Sequence, residues 1–239
     1  MLFVCAVTFA TETSPRIVLV GDSTMASGSG WGDAFGELLV DGVEFKNLAM
    51  GGRSSKSFRD EGRWDEVLEL KPDWVLLQFG HNDEPGKGPA LETDAETTFR
   101  ENLKRYVEEI RALGGEVVLL TPMVRRNFGP DGRIDPNQLQ PYWNASLGKH
   151  IPDHMADYAT ATRAVASELN VLLIDLHIKS IELANECGPE RAVVLGPENR
   201  NPEQPDNTHL SSRGGVVIAD LVAQAIRLKV PELAPLISF

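Results

Sequence analysis

The chain has 239 residues, 42% of them hydrophobic and 24% charged, the make-up of a soluble globular protein able to bury a sizeable core. Its net charge of -12 argues against a general binder of nucleic acid or of an anionic membrane, which would need a basic face, but leaves room for a local basic pocket. Its two cysteines, Cys5 and Cys187, form no C-x-x-C pair, so no metal or redox site is expected of them.

The opening "MLFVCAVTFA" is apolar, then gives way to "TETSP". It is too short to span a bilayer. It reads as the apolar core of a secretory signal, with Thr8 and Ala10 as the small residues of a cleavage site, although the usual basic start is missing. Residues 1–12 are thus expected to be a leader directing a secreted or periplasmic protein, and 13–239 a single domain. The competing reading is a short N-terminal strand.

The first strand is expected over Arg16–Val20. It ends abruptly on Gly21, Asp22, Ser23 and Thr24. Such residues make ordinary turns, yet a strand end can also present Ser23 as a nucleophile. The "GSGWG" stretch at Gly28–Gly32 lacks G-x-G-x-x-G spacing and follows no strand directly, so no nucleotide loop is expected. The second strand, Val43–Ala49, leads into "MGGRSS", where Gly51 and Gly52 permit a tight turn and an accessible amide. The third, Trp74–Phe79, leads into "GHND", where the Asn82 amide can donate. A helix is expected over Asp94–Leu113, with Thr93 and Glu96 as a capping box and Phe99, Leu103, Val107 and Ile110 on one face. The fourth strand, Glu116–Thr121, precedes Arg125 and Arg126, either of which can pair with a substrate carboxylate. The fifth is Val171–Leu176, and a last helix covers Ser212–Leu228. No internal repeat or low-complexity tract interrupts this series.

Alternating strands and helices imply a mostly parallel sheet covered on both sides. Ligands then bind beyond the carboxyl ends of the strands. Asp206 precedes His209 by three residues, a spacing that brings the two side chains together on one helical turn. The parts for acyl transfer are therefore Ser23 as nucleophile, His209 as base and Asp206 as its orienter. The amides of Ser23 and Gly52, with the Asn82 side chain, can form an oxyanion hole.

These blocks resemble the SGNH (GDSL-type) hydrolase superfamily: Gly21-Asp22-Ser23-Thr24, Gly52, Gly80-His81-Asn82-Asp83 and Asp206-Asn207-Thr208-His209 occur in the family's order across the chain after its leader. Thr24 stands where the name-giving motif has Leu. "GDSTMA", "GWGDAF", "GGRSSKSF", "FGHND" and "DNTHLS" are similar to rhamnogalacturonan acetylesterases and their relatives. The resemblance implies a three-layer α/β/α, flavodoxin-like fold with a five-stranded sheet. It also implies a serine esterase that deacetylates a carbohydrate, of pectic type, through an acetyl-enzyme and without cofactor or metal.

Other residues compete. His177, two positions from Asp175, is the rival base, since alternation would put both on one strand face; His81 is expected to shape the Asn82 loop. His150 and His154 are four apart, but Pro152 lies between them and H-E-x-x-H is absent, which favours a solvated helix start over a metal site. No G-x-S-x-G occurs. Trp31, Phe128, Tyr142 and Trp143 are expected in loops at the cleft, to stack on sugars or to cover the core. A lipid or thioester hydrolase on the same scaffold, and a non-catalytic carbohydrate-binding protein, are the rival functions; the first would want a long apolar loop at the cleft, the second would not need His209 with Asp206.

Overall fold

The computed structural model describes residues 14–144, 147–198 and 206–238, so the expected leader lies outside the described residues. In chain order the elements are β1 (Arg16–Gly21), α1 (Gly32–Gly36), β2 (Glu44–Asn47), α2 (Ser57–Asp60), α3 (Arg63–Leu70), β3 (Trp74–Gln78), α4 (Thr98–Ala112) and β4 (Glu116–Leu120). They continue with β5 (Tyr142–Asn144), β6 (Lys149–Ile151), α5 (Met155–Leu169), β7 (Leu172–Ile174), α6 (Leu176–Ala192) and α7 (Ser212–Lys229).

Five strands form one parallel sheet in the order β2-β1-β3-β4-β7. Strand alternation divides its apolar residues between two cores. Ile17, Leu19, Leu76, Val118 and Leu120 face α1 and α7, where Ile218, Val222 and Ile226 form a stripe at helical spacing. Val18, Val20, Val75, Leu77, Val117 and Leu119 face α3, α4 and α5. Both faces are covered, which explains why these strands read as continuous apolar runs. The expected α/β/α architecture is the observed one.

Three local expectations are corrected. The helix expected from Asp94 starts at Thr98. Asp94 instead accepts from the N–H groups of Glu96 and Thr97 in a preceding turn, while Thr93 donates its hydroxyl to Asp83 at 2.9 Å, so no Thr93–Glu96 capping box forms. The last sheet strand stops at Ile174 because Asp175 caps α6, accepting from the Ile178 N–H. His177 therefore lies on a helix, not on a strand face with Asp175. The antiparallel pair β5–β6, too short to show a period, was not legible at all.

The order places β1 between β2 and β3, the switch point of a doubly wound sheet, and brings the loops after these strands together at one edge. Gly21 permits that closeness: a Cβ there would lie 2.5 Å from the Gln78 carbonyl oxygen of β3.

Candidate active site

Directly after β1 the backbone turns on Asp22. Its Oδ1 accepts from the Thr24 N–H at 2.9 Å and the Thr24 hydroxyl at 2.8 Å, and its carbonyl accepts from the N–H groups of Met25 and Ala26. Ser23 thereby projects off the sheet edge. The Thr24 hydroxyl also accepts from Gln78 Nε2 at 3.0 Å, and Gln78 Oε1 accepts from Trp31 Nε1 at 2.9 Å. A buried polar chain thus runs beneath the serine. Its far end is Asp22 Oδ2, 3.5 Å from His81 Nδ1. Burial would raise the Asp22 carboxyl, but the neighbouring His81 and the Thr24 hydrogen bonds outweigh it and hold the group below its ordinary value.

His209 comes from the loop before α7. Its Nε2 lies 2.9 Å from Ser23 Oγ, and its Nδ1 lies 2.8 Å from Asp206 Oδ2. Asp206 Oδ1 meanwhile accepts from the N–H groups of Thr208 and His209, which fixes the tight turn joining the pair. Against burial, these bonds keep the Asp206 carboxyl well below the usual carboxylate range. A carboxylate taking the Nδ1 proton leaves Nε2 free to accept from the serine hydroxyl.

Donors surround the same point. A Cβ on Gly51 would lie 3.7 Å from Ser23 Cβ, so the Gly51–Gly52 turn abuts the serine, and Gly52 has a left-handed φ of 76° that favours glycine. Among the described residues, neither the Ser23 nor the Gly52 N–H meets an intramolecular acceptor. Asn82 lines the cleft with one amide hydrogen bonded to the Arg53 carbonyl at 3.0 Å, leaving the second available. The serine, an adjacent base and unpaired donors converge as ester cleavage requires.

The model of the GDSL-like lipase/acylhydrolase family matches residues 19–215. The chain belongs to this family. It is a carboxylic ester hydrolase. Rhamnogalacturonan acetylesterase RhgT of Bacillus subtilis (strain 168) is 36% identical to it over 227 residues, covering 88% of this chain and 89% of its own. A probable rhamnogalacturonan acetylesterase, YesY, of the same organism is 34% identical over 222 residues, covering 89% and 92%. Among solved structures, Bacillus subtilis protein YxiM superposes with a TM-score of 0.71 at 25% identity; the match takes in 90% of this chain but 57% of that one.

The remaining expected site residues of this acylhydrolase fall out differently. Trp31 is fully buried, edge-on to Phe35, and its indole N–H belongs to the chain under Ser23; it does not border the cleft. Arg125 reaches the cleft, but its guanidinium is committed. Glu84 takes both arms at 3.1 and 2.5 Å, Asp153 takes one at 2.9 Å, and the Tyr142 ring lies 3.6 Å away. Arg126 donates to the His209 carbonyl at 2.6 Å, so it fastens the His209 loop instead of facing substrate. Neither arginine offers a free charge to a uronate. Of the aromatic candidates, Phe128 packs on the small core of Val124, Ile134 and Ile181, while Tyr142 and Trp143 do line the cleft.

His177, the rival base, is buried with its Nδ1 3.3 Å from the Pro122 carbonyl, and burial with the Arg163 charge pushes it down to about 4. Asp175 is held by Arg163 instead. His150 stacks edge-on against Trp143, and His154 meets Asp157 at 3.2 Å. Sequence reasoning passed over Lys87, Asn127 and Asn144, which line the cleft from loops and a short strand with no motif of their own.

Proposed function

We propose that this ester hydrolase removes acetyl groups from a carbohydrate of the rhamnogalacturonan type, through an acetyl-enzyme formed on Ser23. The observation that carries the reading is the unbroken contact from Ser23 Oγ to His209 at 2.9 Å and on to Asp206 at 2.8 Å. His209 takes the serine proton as Oγ attacks the acetyl carbonyl. The Ser23 and Gly52 amides and Asn82 hold the oxyanion, and His209 returns the proton to the departing sugar oxygen. Water then repeats the cycle on the acetyl-enzyme. The relatives named as rhamnogalacturonan acetylesterases support the substrate class. So does a cleft of about 240 Å³ lined by Asn82, Asn127, Asn144 and Asn207, whose amides suit sugar hydroxyls better than an acyl chain.

The test is acetate release from acetylated rhamnogalacturonan by the wild type and by Ser23→Ala. The variant is expected to melt like the wild type, to lose nearly all turnover, and to give no acetyl adduct by mass spectrometry. Wild-type-like release by Ser23→Ala would overturn the assignment.

A further inference from the structure

Two charged side chains that ester cleavage does not use line the cleft: Arg125, which Glu84 and Asp153 neutralise, and Lys87. Lys87 lies in the loop after β3, on the same cavity as Ser23 and His209. Its Nζ is 5.4 Å from the centroid of the Tyr142 ring. Among the described residues it joins no carboxylate in an ion pair. The nearby acids are engaged elsewhere: Glu84 and Asp153 hold Arg125, and Asp22 faces His81. Burial pushes the Lys87 ammonium down from its ordinary value, and the Arg125 charge adds to the push. Glu84, Asp22 and Asp153 pull the other way, but none of them contacts it.

A part-buried ammonium beside a second cation, which among the described residues meets the Tyr142 ring but no anion, is costly unless something that binds there supplies the anion. The acetyl ester itself is neutral and its developing charge is met at Ser23, so the anion must sit elsewhere on the substrate. The whole chain carries a net charge of -12 and repels polyanions at long range. A local cation is what would seat an acidic sugar against that field.

Building on the carbohydrate esterase reading above, we infer that Lys87 is the specificity-determining residue that binds a uronate carboxylate of the acetylated substrate. Tyr142, held between Lys87 and Arg125, packs beside the ammonium, and Trp143 lines the same cavity. The role that the sequence suggested for Arg125 or Arg126 thus passes to a lysine in a different loop.

The experiment compares acetylated rhamnogalacturonan oligosaccharides with free carboxylates against the same oligomers methyl-esterified, which removes the charge and adds one methyl per uronate; the Lys87 variants separate the charge from the added bulk. The wild type is expected to favour the free acids in kcat/KM. Lys87→Met, which keeps the stem, should shrink that preference about tenfold, the strength of one charge-assisted contact, and do so through KM. Lys87→Arg should retain most of it. A wild type indifferent to methyl esterification, or a preference that survives in Lys87→Met, would overturn the inference. A parallel assay separates this from the wider reading: unacetylated oligogalacturonide is tested as an inhibitor of p-nitrophenyl acetate hydrolysis. If no acetylated sugar is turned over but inhibition is competitive and weakened in Lys87→Met, the carbohydrate esterase reading falls and the carboxylate site stands. If the free oligouronide does not inhibit, or inhibits Lys87→Met equally, the carboxylate site falls whatever the sugar esters do.

Discussion

Asp206 serves His209 with both of its oxygens, and the two tasks can be taken apart. Oδ2 faces the ring at 2.8 Å, while Oδ1 accepts the Thr208 and His209 backbone N–H groups at 3.1 and 2.9 Å. Asp206→Asn preserves an oxygen for the backbone but sets an amide N–H against Nδ1, which favours the wrong ring tautomer. The expected result is a wild-type-like melting temperature with a loss in kcat of up to about 10⁴, as in serine protease triads, at nearly constant KM. Asp206→Ala removes the backbone acceptor too, and is expected to lower the melting temperature as well. Measuring kcat and melting for both variants checks this; undiminished kcat in Asp206→Asn would reduce the aspartate to a loop cap. The contact of Ser23, His209 and Asp206 was legible because each sits in a contiguous motif whose chemistry is local: Gly-Asp-Ser at a strand end, Asp-x-x-His just before a helix. Trp31, Arg125 and Arg126 were misread for the opposite reason. Their types suit a sugar cleft, but only the packed structure shows that Gln78, Glu84 and the His209 carbonyl had already claimed them.

At the scale of elements, the sheet was readable because three of its strands, β1, β3 and β4, bury both faces and leave long apolar runs. The ends were less readable, since caps compete. Thr93 looked like a helix start until Asp83, ten residues back, took its hydroxyl. The junction of β1 with β3 is where element packing meets chemistry. Gln78, the last residue of β3, bridges Trp31 and Thr24, and Thr24 in turn braces Asp22 beside Ser23. This explains why a threonine works where the name-giving motif has leucine: it has a buried partner on both sides. Gln78→Leu keeps the volume but leaves the Trp31 N–H without an acceptor and removes the donor to Thr24. One unsatisfied buried group costs about 1–3 kcal/mol, so a clear drop in the urea midpoint is expected. Because the chain supports the Ser23 turn, kcat should fall along with stability. A stability loss with kcat unchanged would show that the chain props the core alone.

Over the whole molecule, two buried groups set opposing pH dependences of stability. His177 is pushed from 6.5 to about 4, by burial first and the Arg163 charge second. Between those values the unfolded chain binds a proton there that the folded chain refuses, so stability is lost as the pH falls from about 6.5 to about 4. Asp83 is shifted the other way. Burial raises it from 3.8 to about 7, despite hydrogen bonds from Ser55 and Thr93, with the Asp22 charge adding to the rise. The folded chain then keeps a proton that the unfolded chain has released. That contribution is fully present below about 4 and is lost as the pH rises through about 7. Within the shared window the two slopes offset each other, and the wild type alone would show a misleadingly flat profile. Substitution separates them. Relative to His177→Gln, the wild type is expected to weaken steadily as the pH is lowered through the window. Relative to Asp83→Asn, which stays neutral, it is expected to weaken as the pH is raised. Urea midpoints measured from pH 4 to pH 8 for the three proteins test both signs at once; profiles that run parallel would mean that neither group carries its proton as the structure implies.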